Sequence, residues 1–567
     1  MKKKQANELT ASNAAAWPEW SVFALFAAAF IVVSIFHEPW FDEAESWQIA
    51  KCASIRDILF LLPHYEGHPP LWHLLLAIPA KLGVPYEIGL KTVAAIPTFI
   101  SVWLILFRSP FPRPVRLLLP FNYFVFYQYG IVSRPYGLML LATILSAMSF
   151  YDKDEKPWRF VLSLLFLCLC SAYGIILAGG ICICWVLDIL KEYGWRLPGA
   201  IWKDRRVHAL FILLLAALLL IAEIVPYPDT YATTLDNETP LLLRLIYTLF
   251  MMLPECLLTS SIPEDCYLPC LELPTEIYVL VGSFGIVIWC VIYLYLEPEN
   301  RKYYFIPAAL LAAFMSLLYA SSHHIGIISV LLLMILWVNG KPSSTIKNLL
   351  ERAKLSEQDK SALKLLRNIF ITLVLLMPAF WTLSASVHDI QHPYYHSRET
   401  AEFLKESGLS ELRIMCCWRE DFPDDVDASD EDAYQYICAN FQYNAMNVSA
   451  YFSGNISYTF NGQSDECTYV FHRRETAEEN KLILSKWREA GAPDVLLGKV
   501  DLELVFGDDV TLDDYAPVYQ MKSTAVSIWK DSYLGPDEYN YNYIYLRKDL
   551  LDDYGLTPLS VDPFLFG

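Results

Sequence analysis

Charge-free apolar runs alternate with short polar connections along most of this chain. Runs approaching the roughly 17–25 residues needed to cross a bilayer recur at 19–36, 88–107, 117–132, 136–150, 160–174, 175–187, 207–222, 275–296, 303–320, 325–338 and 368–387. Shorter candidates lie at 69–82 and 240–253. The pattern predicts a polytopic α-helical membrane protein with about 11–13 transmembrane helices. Beyond residue 388 the pattern changes. "RETAEFLKESG" reads as a helix, and "LRIMCC", "PDVLLGKVDLELVF" and "YNYIYLRKDL" read as strands, so residues 389–567 are expected to form an α/β domain after a membrane domain at 1–388.

Within the membrane part, residues 37–70 are a polar interruption with helical signatures of their own. Asp42 followed by Glu45, and Ser54 followed by Asp57, both have capping-box spacing. Ile55, Ile58, Leu59 and Leu62 form an apolar stripe on a helix too short to span, suited to the membrane surface. "GHPPLWHLLL" then opens a new helix, with Pro69 and Pro70 in its first turn.

Composition supports the membrane reading. Of 567 residues, 55% are hydrophobic, and the mean hydropathy is +0.32, too apolar for an ordinary water-soluble protein. From Asp389 onward there are 33 acidic and 14 basic side chains, so the tail carries the whole net charge of −19. "MKKK" before an apolar run without a small-residue cleavage site predicts an uncleaved anchor with a cytoplasmic amino terminus. "RSPFPRPVR", "KEYGWRLPGAIWKDRR", "EPENRK" and "KPSSTIKNLLERAK" are expected to be cytoplasmic, and the acidic tail extracytoplasmic. None of these loops is large enough for a nucleotide-binding domain, which argues against a cytoplasmic nucleotide donor. One conflict arises: if 69–82 crosses fully, strict alternation puts "RSPFPRPVR" outside and "SRPYG" inside, against the charge rule. Of the 13 cysteines, Cys168, Cys170, Cys182, Cys184 and Cys290 lie in apolar runs and read as small hydrophobes. Cys256, Cys266, Cys270, Cys416, Cys417, Cys438 and Cys467 fall where disulfides are permitted.

The bland role of Asp42 is a helix cap, and of Trp40 and Trp47 an aromatic belt. The sharper role is a carboxylate held just outside the bilayer as a general base for a lipid-borne substrate. "FDEAESWQIA" after the first apolar run, "HPPLWHLLL" at the next membrane segment and "SRPYGLMLLATIL" further on together resemble the GT-C membrane glycosyltransferases. The protein O-mannosyltransferase and lipid A aminoarabinose transferase types are the nearest in pattern. The resemblance covers residues 20–150 at the level of motifs and extends to 388 as architecture. It implies transfer of a sugar from a polyprenyl-phosphate carrier to an extracytoplasmic glycan, lipid or protein acceptor, with inversion at the anomeric carbon. Asp42 matches the general base or acceptor-orienting residue, and Glu43 its partner. His68 matches the head of the His-Pro-Pro motif beside the lipid phosphate. Arg134 matches the arginine of the third motif, where Gly137 replaces the commoner alanine.

The chemistry suits these residue types. A hydroxyl attacking an anomeric carbon must lose its proton, and negative charge grows on the leaving phosphate. Arg134 is the first cation for that phosphate, with His68, His323 and His324 behind it. Tyr227, Asp229 and Tyr231 lie on a second long connection, at 226–274, expected to cover the donor. No cofactor is required by the pattern, but some relatives use a divalent metal, so Asp42 and Glu43 also stand as ligand candidates. The competing functions are a transporter or flippase of lipid-linked saccharides and a non-catalytic scaffold. Transport usually places ionisable groups near the bilayer midplane, whereas here polar residues gather at the ends of the runs. No basic patch, Gly-rich phosphate loop or zinc signature points to nucleic acid, nucleotide or structural metal.

Overall fold

The computed structural model describes residues 16–194, 199–230, 240–258, 275–318, 324–353, 355–392, 396–416, 442–457, 476–498, 502–507, 510–524 and 539–560. Among the described residues, six helices are long and apolar enough to cross a membrane: Trp17–Phe36, Tyr86–Arg108, Ala172–Glu192, Arg205–Ile224, Leu241–Leu258 and Glu357–Gln391. A seventh span results if Ile325–Asn339 and Ser344–Arg352, bent by 75°, are taken together. Shorter apolar helices at Leu71–Lys81, Tyr136–Phe150, Pro157–Cys170 and Val279–Tyr295 account for other runs in the pattern. Thus 11–13 apolar segments separate into full-length helices and shorter pieces, because length, not hydropathy alone, decides what reaches both faces.

Trp17–Phe36 shows how such a helix divides its faces. Phe26, Phe30 and Val33, at helical spacing, are buried, while Leu25, Ile31 and Ile35 point outward. Arg205–Ile224 goes further: only Ala209 and Leu213 are buried, and Leu214, Leu215, Leu218 and Leu219 are exposed. An apolar outer surface of that extent fits hydrocarbon rather than water. Where helices approach most closely, glycine permits it. A Cβ on Gly180 would lie 2.7 Å from the Pro307 backbone, and one on Gly326 would lie 2.5 Å from the rings of Phe124 and Tyr129.

Geometry bears on the charge-rule conflict. Leu71–Lys81 has 11 residues and contains Pro79, so at about 1.5 Å per residue it covers little more than half of a hydrocarbon core of about 30 Å. Independent contacts fix the sides. Glu19, at the start of the first long helix, accepts hydrogen bonds from Arg113 Nε and Nη2, both at 2.9 Å, and from Arg116 Nη2 at 3.3 Å. At the other end of that helix, Lys91 donates to the carbonyls of Ser34 (2.7 Å) and His37 (2.6 Å), a cation on a helix C-terminus. The "RSPFPRPVR" loop and Arg134 therefore lie at opposite ends of the first helix.

The final long helix runs to Gln391, so Asp389, at the head of the tail by composition, belongs to the membrane body. Among its described residues the acidic part then forms a four-stranded mixed sheet: β1 (Ile414–Cys416), β2 (Val495–Leu497), β3 (Tyr515–Thr524) and β4 (Tyr539–Arg547), in spatial order β1-β2-β4-β3. β1 and β2 are parallel and the other pairs antiparallel. Strand alternation gives the sheet two apolar faces. Met415, Leu496, Tyr543 and Tyr545 pack with Leu484 and Trp487 of helix Ala477–Ala490. Ile414, Val495, Ile544 and Leu546 pack with Ala401 and Leu404 of helix Ser397–Glu406. The domain rests on the membrane body: Gln48 Nε2 donates to the Met446 carbonyl (3.1 Å), Lys51 to that of Phe452 (2.6 Å), and Arg398 pairs with Glu87. Cys256 and Cys416 are both buried. Cys266, Cys270, Cys417, Cys438 and Cys467 lie outside the described residues.

Candidate functional site

The segment "FDEAESWQIAKC" forms helix Phe41–Cys52 directly beyond the first long helix. Asp42 is not its cap, as the spacing to Glu45 had suggested. The N-cap is Trp40, whose N–H donates to Glu43 Oε2 at 3.0 Å, so Asp42 is the second residue of the helix. The second box behaves as expected, with the Asp57 N–H donating to Ser54 Oγ at 3.1 Å. Glu43 and Asp42 point to different surroundings because adjacent helical positions diverge by about 100°.

Glu43 is fully buried. Its Oε1 accepts from the Ser133 N–H at 2.5 Å, and its Oε2 lies 3.2 Å from His37 Nε2 in addition to the Trp40 N–H. His37 Nδ1 in turn lies 2.8 Å from Asp389 Oδ2, the same oxygen that accepts from Tyr127 Oη at 2.9 Å. Burial disfavours the imidazolium, but Asp389 and Glu43 outweigh it and lift the His37 pKa to about 10. Glu43 thus ties the first motif to the backbone of the third.

That tie sets Arg134 beside Asp42. The π-helix Phe124–Ile131 precedes the "SRPY" turn, and helix Tyr136–Phe150 follows Pro135. From this turn, Arg134 Nη2 reaches Asp42 Oδ2 at 3.2 Å, while Nη1 donates to the Asp42 carbonyl at 2.9 Å and to Ser46 Oγ at 3.3 Å. Ser46 Oγ also donates to that carbonyl at 2.8 Å. The Asp42 side chain keeps 25% exposure and that of Arg134 14%, making Asp42 the accessible carboxylate of the pair.

His68 lies in the turn before helix Leu71–Lys81. Burial, and then the charge of Arg134, push its pKa down to about 3, and its Nδ1 is buried with no hydrogen-bond partner. It is a neutral imidazole near a cation rather than a second positive charge. His324 is buried against Tyr173 (4.5 Å between ring centroids) and Tyr136 (6.1 Å), which places it behind the Arg134 turn. Tyr227 stacks on His64 at 4.0 Å, and the Asp229 carboxylate accepts from Tyr65 Oη at 3.3 Å. Both brace the short helix Pro63–Glu66 that leads to His68. His323 and Tyr231 lie outside the described residues.

Several members escaped the sequence reading. Glu45 and Glu66 add negative charge around Arg134. The first stands three residues after Asp42 on the same helical face, and the second two residues before His68. Arg244 is 8% exposed, and its Nε and Nη1 are buried without a partner. It lies on helix Leu241–Ile246, one turn before Thr248, whose hydroxyl is 3.0 Å from that of Ser316. An isolated arginine in an apolar segment was the available signal. His37 and Asp389 gave no signal, their partners lying far away in sequence.

These residues do not fit a divalent-metal site. Glu43 has both oxygens occupied by protein donors, Asp42 faces a guanidinium, and among the described residues no three His, Cys, Asp or Glu side chains converge as metal ligands.

No protein-family model and no curated protein matches the chain. Among solved structures, the fold is similar to the crystal structure of ArnT from Cupriavidus metallidurans bound to undecaprenyl phosphate, at a TM-score of 0.43 and 11% identity, covering 92% of this chain and 97% of that one.

Proposed function

We propose that the protein is a membrane glycosyltransferase of GT-C type, moving a sugar from a polyprenyl-phosphate donor to an acceptor hydroxyl outside the cytoplasm. The observation that carries this reading is the convergence of three separate motifs: an accessible carboxylate (Asp42), a guanidinium in contact with it (Arg134), and a neutral histidine within electrostatic reach of that guanidinium (His68). The Arg113/Arg116 loop sits at the other end of the first helix, which supports an extracytoplasmic site by the charge rule.

In this reading Asp42 takes the acceptor proton as the hydroxyl oxygen forms its bond to the anomeric carbon. The bond from that carbon to the phosphate oxygen breaks, and its electron pair leaves with the polyprenyl phosphate. Arg134 has two tasks, orienting Asp42 and stabilising the departing charge. Neutral His68 contributes a hydrogen bond rather than charge. Glu43 acts by holding the Arg134 turn, not by touching substrate. A single displacement inverts the anomeric centre.

The test is transfer in proteoliposomes supplied with labelled polyprenyl-phosphate sugars and an acceptor extract. We expect Asp42→Asn to lower turnover by about 10²–10⁴-fold, the usual contribution of a general base. Full retention of transfer by a folded Asp42→Asn protein removes Asp42 from that role.

A further inference from the structure

The buried charge cluster behind the site has a geometry that a neutral histidine cannot satisfy. One imidazole stands between two buried carboxylates: its Nδ1 is 2.8 Å from Asp389 Oδ2, and its Nε2 is 3.2 Å from Glu43 Oε2. Ionised carboxylates only accept hydrogen bonds, and a neutral imidazole has a single N–H, so either tautomer would turn a lone pair toward one of them. Only the imidazolium donates on both sides. Tyr127 adds a third element by donating to the same Asp389 oxygen. The cluster joins the end of the first long helix, the Asp42 helix, the π-helix ahead of Arg134 and the last turn of Glu357–Gln391.

From these contacts we infer that His37 and Asp389 are positioning residues for the transfer site, holding Glu43 so that it fixes the Ser133–Arg134 turn against Asp42. The chain of contacts is continuous. Asp389 orients His37, His37 and the Trp40 N–H hold Glu43 Oε2, and Glu43 Oε1 takes the Ser133 N–H at 2.5 Å. The next residue along is Arg134, on the Asp42 carboxylate and carbonyl. A shift of Glu43 therefore reaches Arg134 through one backbone hydrogen bond and one peptide unit. The last long helix, which leads into the acidic domain, thereby acquires a direct hold on the site. Just beyond it, the Arg398 N–H donates to Glu38 Oε1 at 2.8 Å, fastening the residue next to His37.

For its activity readout the inference rests on the glycosyltransferase reading, so the experiment has an arm that does not. Full-length wild type, His37→Gln and Asp389→Asn are reconstituted in nanodiscs, and amide exchange is followed by mass spectrometry over peptides covering Ser133 and, as a control, β4. Local loss of a bond that closes a buried amide is read as faster exchange at that amide alone. We expect Ser133 to exchange at least about tenfold faster in both variants while β4 keeps wild-type protection, and kcat to fall about 10–100-fold with donor KM within about twofold, as misplacement of catalytic groups produces. Asp389→Glu, which keeps the acceptor charge, is expected to restore part of kcat. Wild-type exchange at Ser133 in His37→Gln or Asp389→Asn overturns the inference. So does an equal rise at Ser133 and in β4, which marks a merely structural role, or faster exchange at Ser133 with unchanged kcat. If the wild type shows no transfer, the functional reading fails, and the exchange result alone decides whether the cluster holds the turn.

Discussion

Replacing Arg134 by lysine separates charge from geometry at the site. The guanidinium makes three contacts from two nitrogens: the Asp42 carboxylate at 3.2 Å, the Asp42 carbonyl at 2.9 Å and Ser46 Oγ at 3.3 Å. A lysine keeps the positive charge but presents one nitrogen on a flexible stem, so it cannot bridge carboxylate and carbonyl in the same planar arrangement. Losing one or two charge-assisted hydrogen bonds, each worth about 1.5–3 kcal/mol, with partial recovery by the ammonium, leaves a net deficit of about 2–4 kcal/mol. If that deficit falls on the transition state, kcat/KM drops roughly 30- to 1,000-fold. The assay is initial-rate transfer from a polyprenyl-phosphate sugar in proteoliposomes, with thermal unfolding as a control for folding. Arg134→Lys retaining kcat/KM within about threefold of wild type, a difference of under 1 kcal/mol, refutes the claim that the fork geometry matters and leaves Arg134 as a diffuse counter-charge.

Other outcomes follow from the packing and the charge network. Gly180→Ala puts a methyl 2.7 Å from the Pro307 backbone, so thermal unfolding in detergent is expected to show a loss of about 1–3 kcal/mol; an unchanged midpoint contradicts the close helix approach. Glu19→Gln removes the charge that gathers Arg113 and Arg116, and because Arg113 is 40% exposed the expected shift of the thermal unfolding midpoint is small. For His37, the folded state binds the proton more tightly than the unfolded chain, with a pKa raised from 6.5 to about 10. Its stabilisation is thus complete below pH 6.5 and is lost as pH rises toward about 10. The melting temperature of wild type is expected to fall across that window more steeply than that of His37→Gln, and parallel profiles refute the assignment.

How much of this was legible beforehand depended on the range of the interactions involved. The apolar runs announced the helices because hydrocarbon burial is a property of each segment by itself; the strand readings of "LRIMCC" and "YNYIYLRKDL" match β1 and β4, whereas in "PDVLLGKVDLELVF" only Val495–Leu497 is a strand and Leu502–Phe506 is a helix. The Ser54 box was readable since cap and partner are three residues apart. Asp42 was misread as a cap because the helix starts where the chain leaves the membrane helix, at Trp40, which spacing alone does not reveal.

The sequence by itself determined the class of molecule, the concentration of the net negative charge after Asp389, and the three motifs worth watching. Only the tertiary structure decided that the helix Leu71–Lys81 is 11 residues long, that Asp42 meets Arg134, and that Glu43 turns inward while Asp42 faces out. It alone brought His37 to Asp389, 352 positions away, and buried Nε and Nη1 of Arg244 with no hydrogen-bond partner among the described residues. The physical reason is that hydropathy and capping act within a few residues, whereas the pairing of buried charges depends on which helix ends meet at one face. That is settled only when the whole bundle packs and each buried donor must find an acceptor.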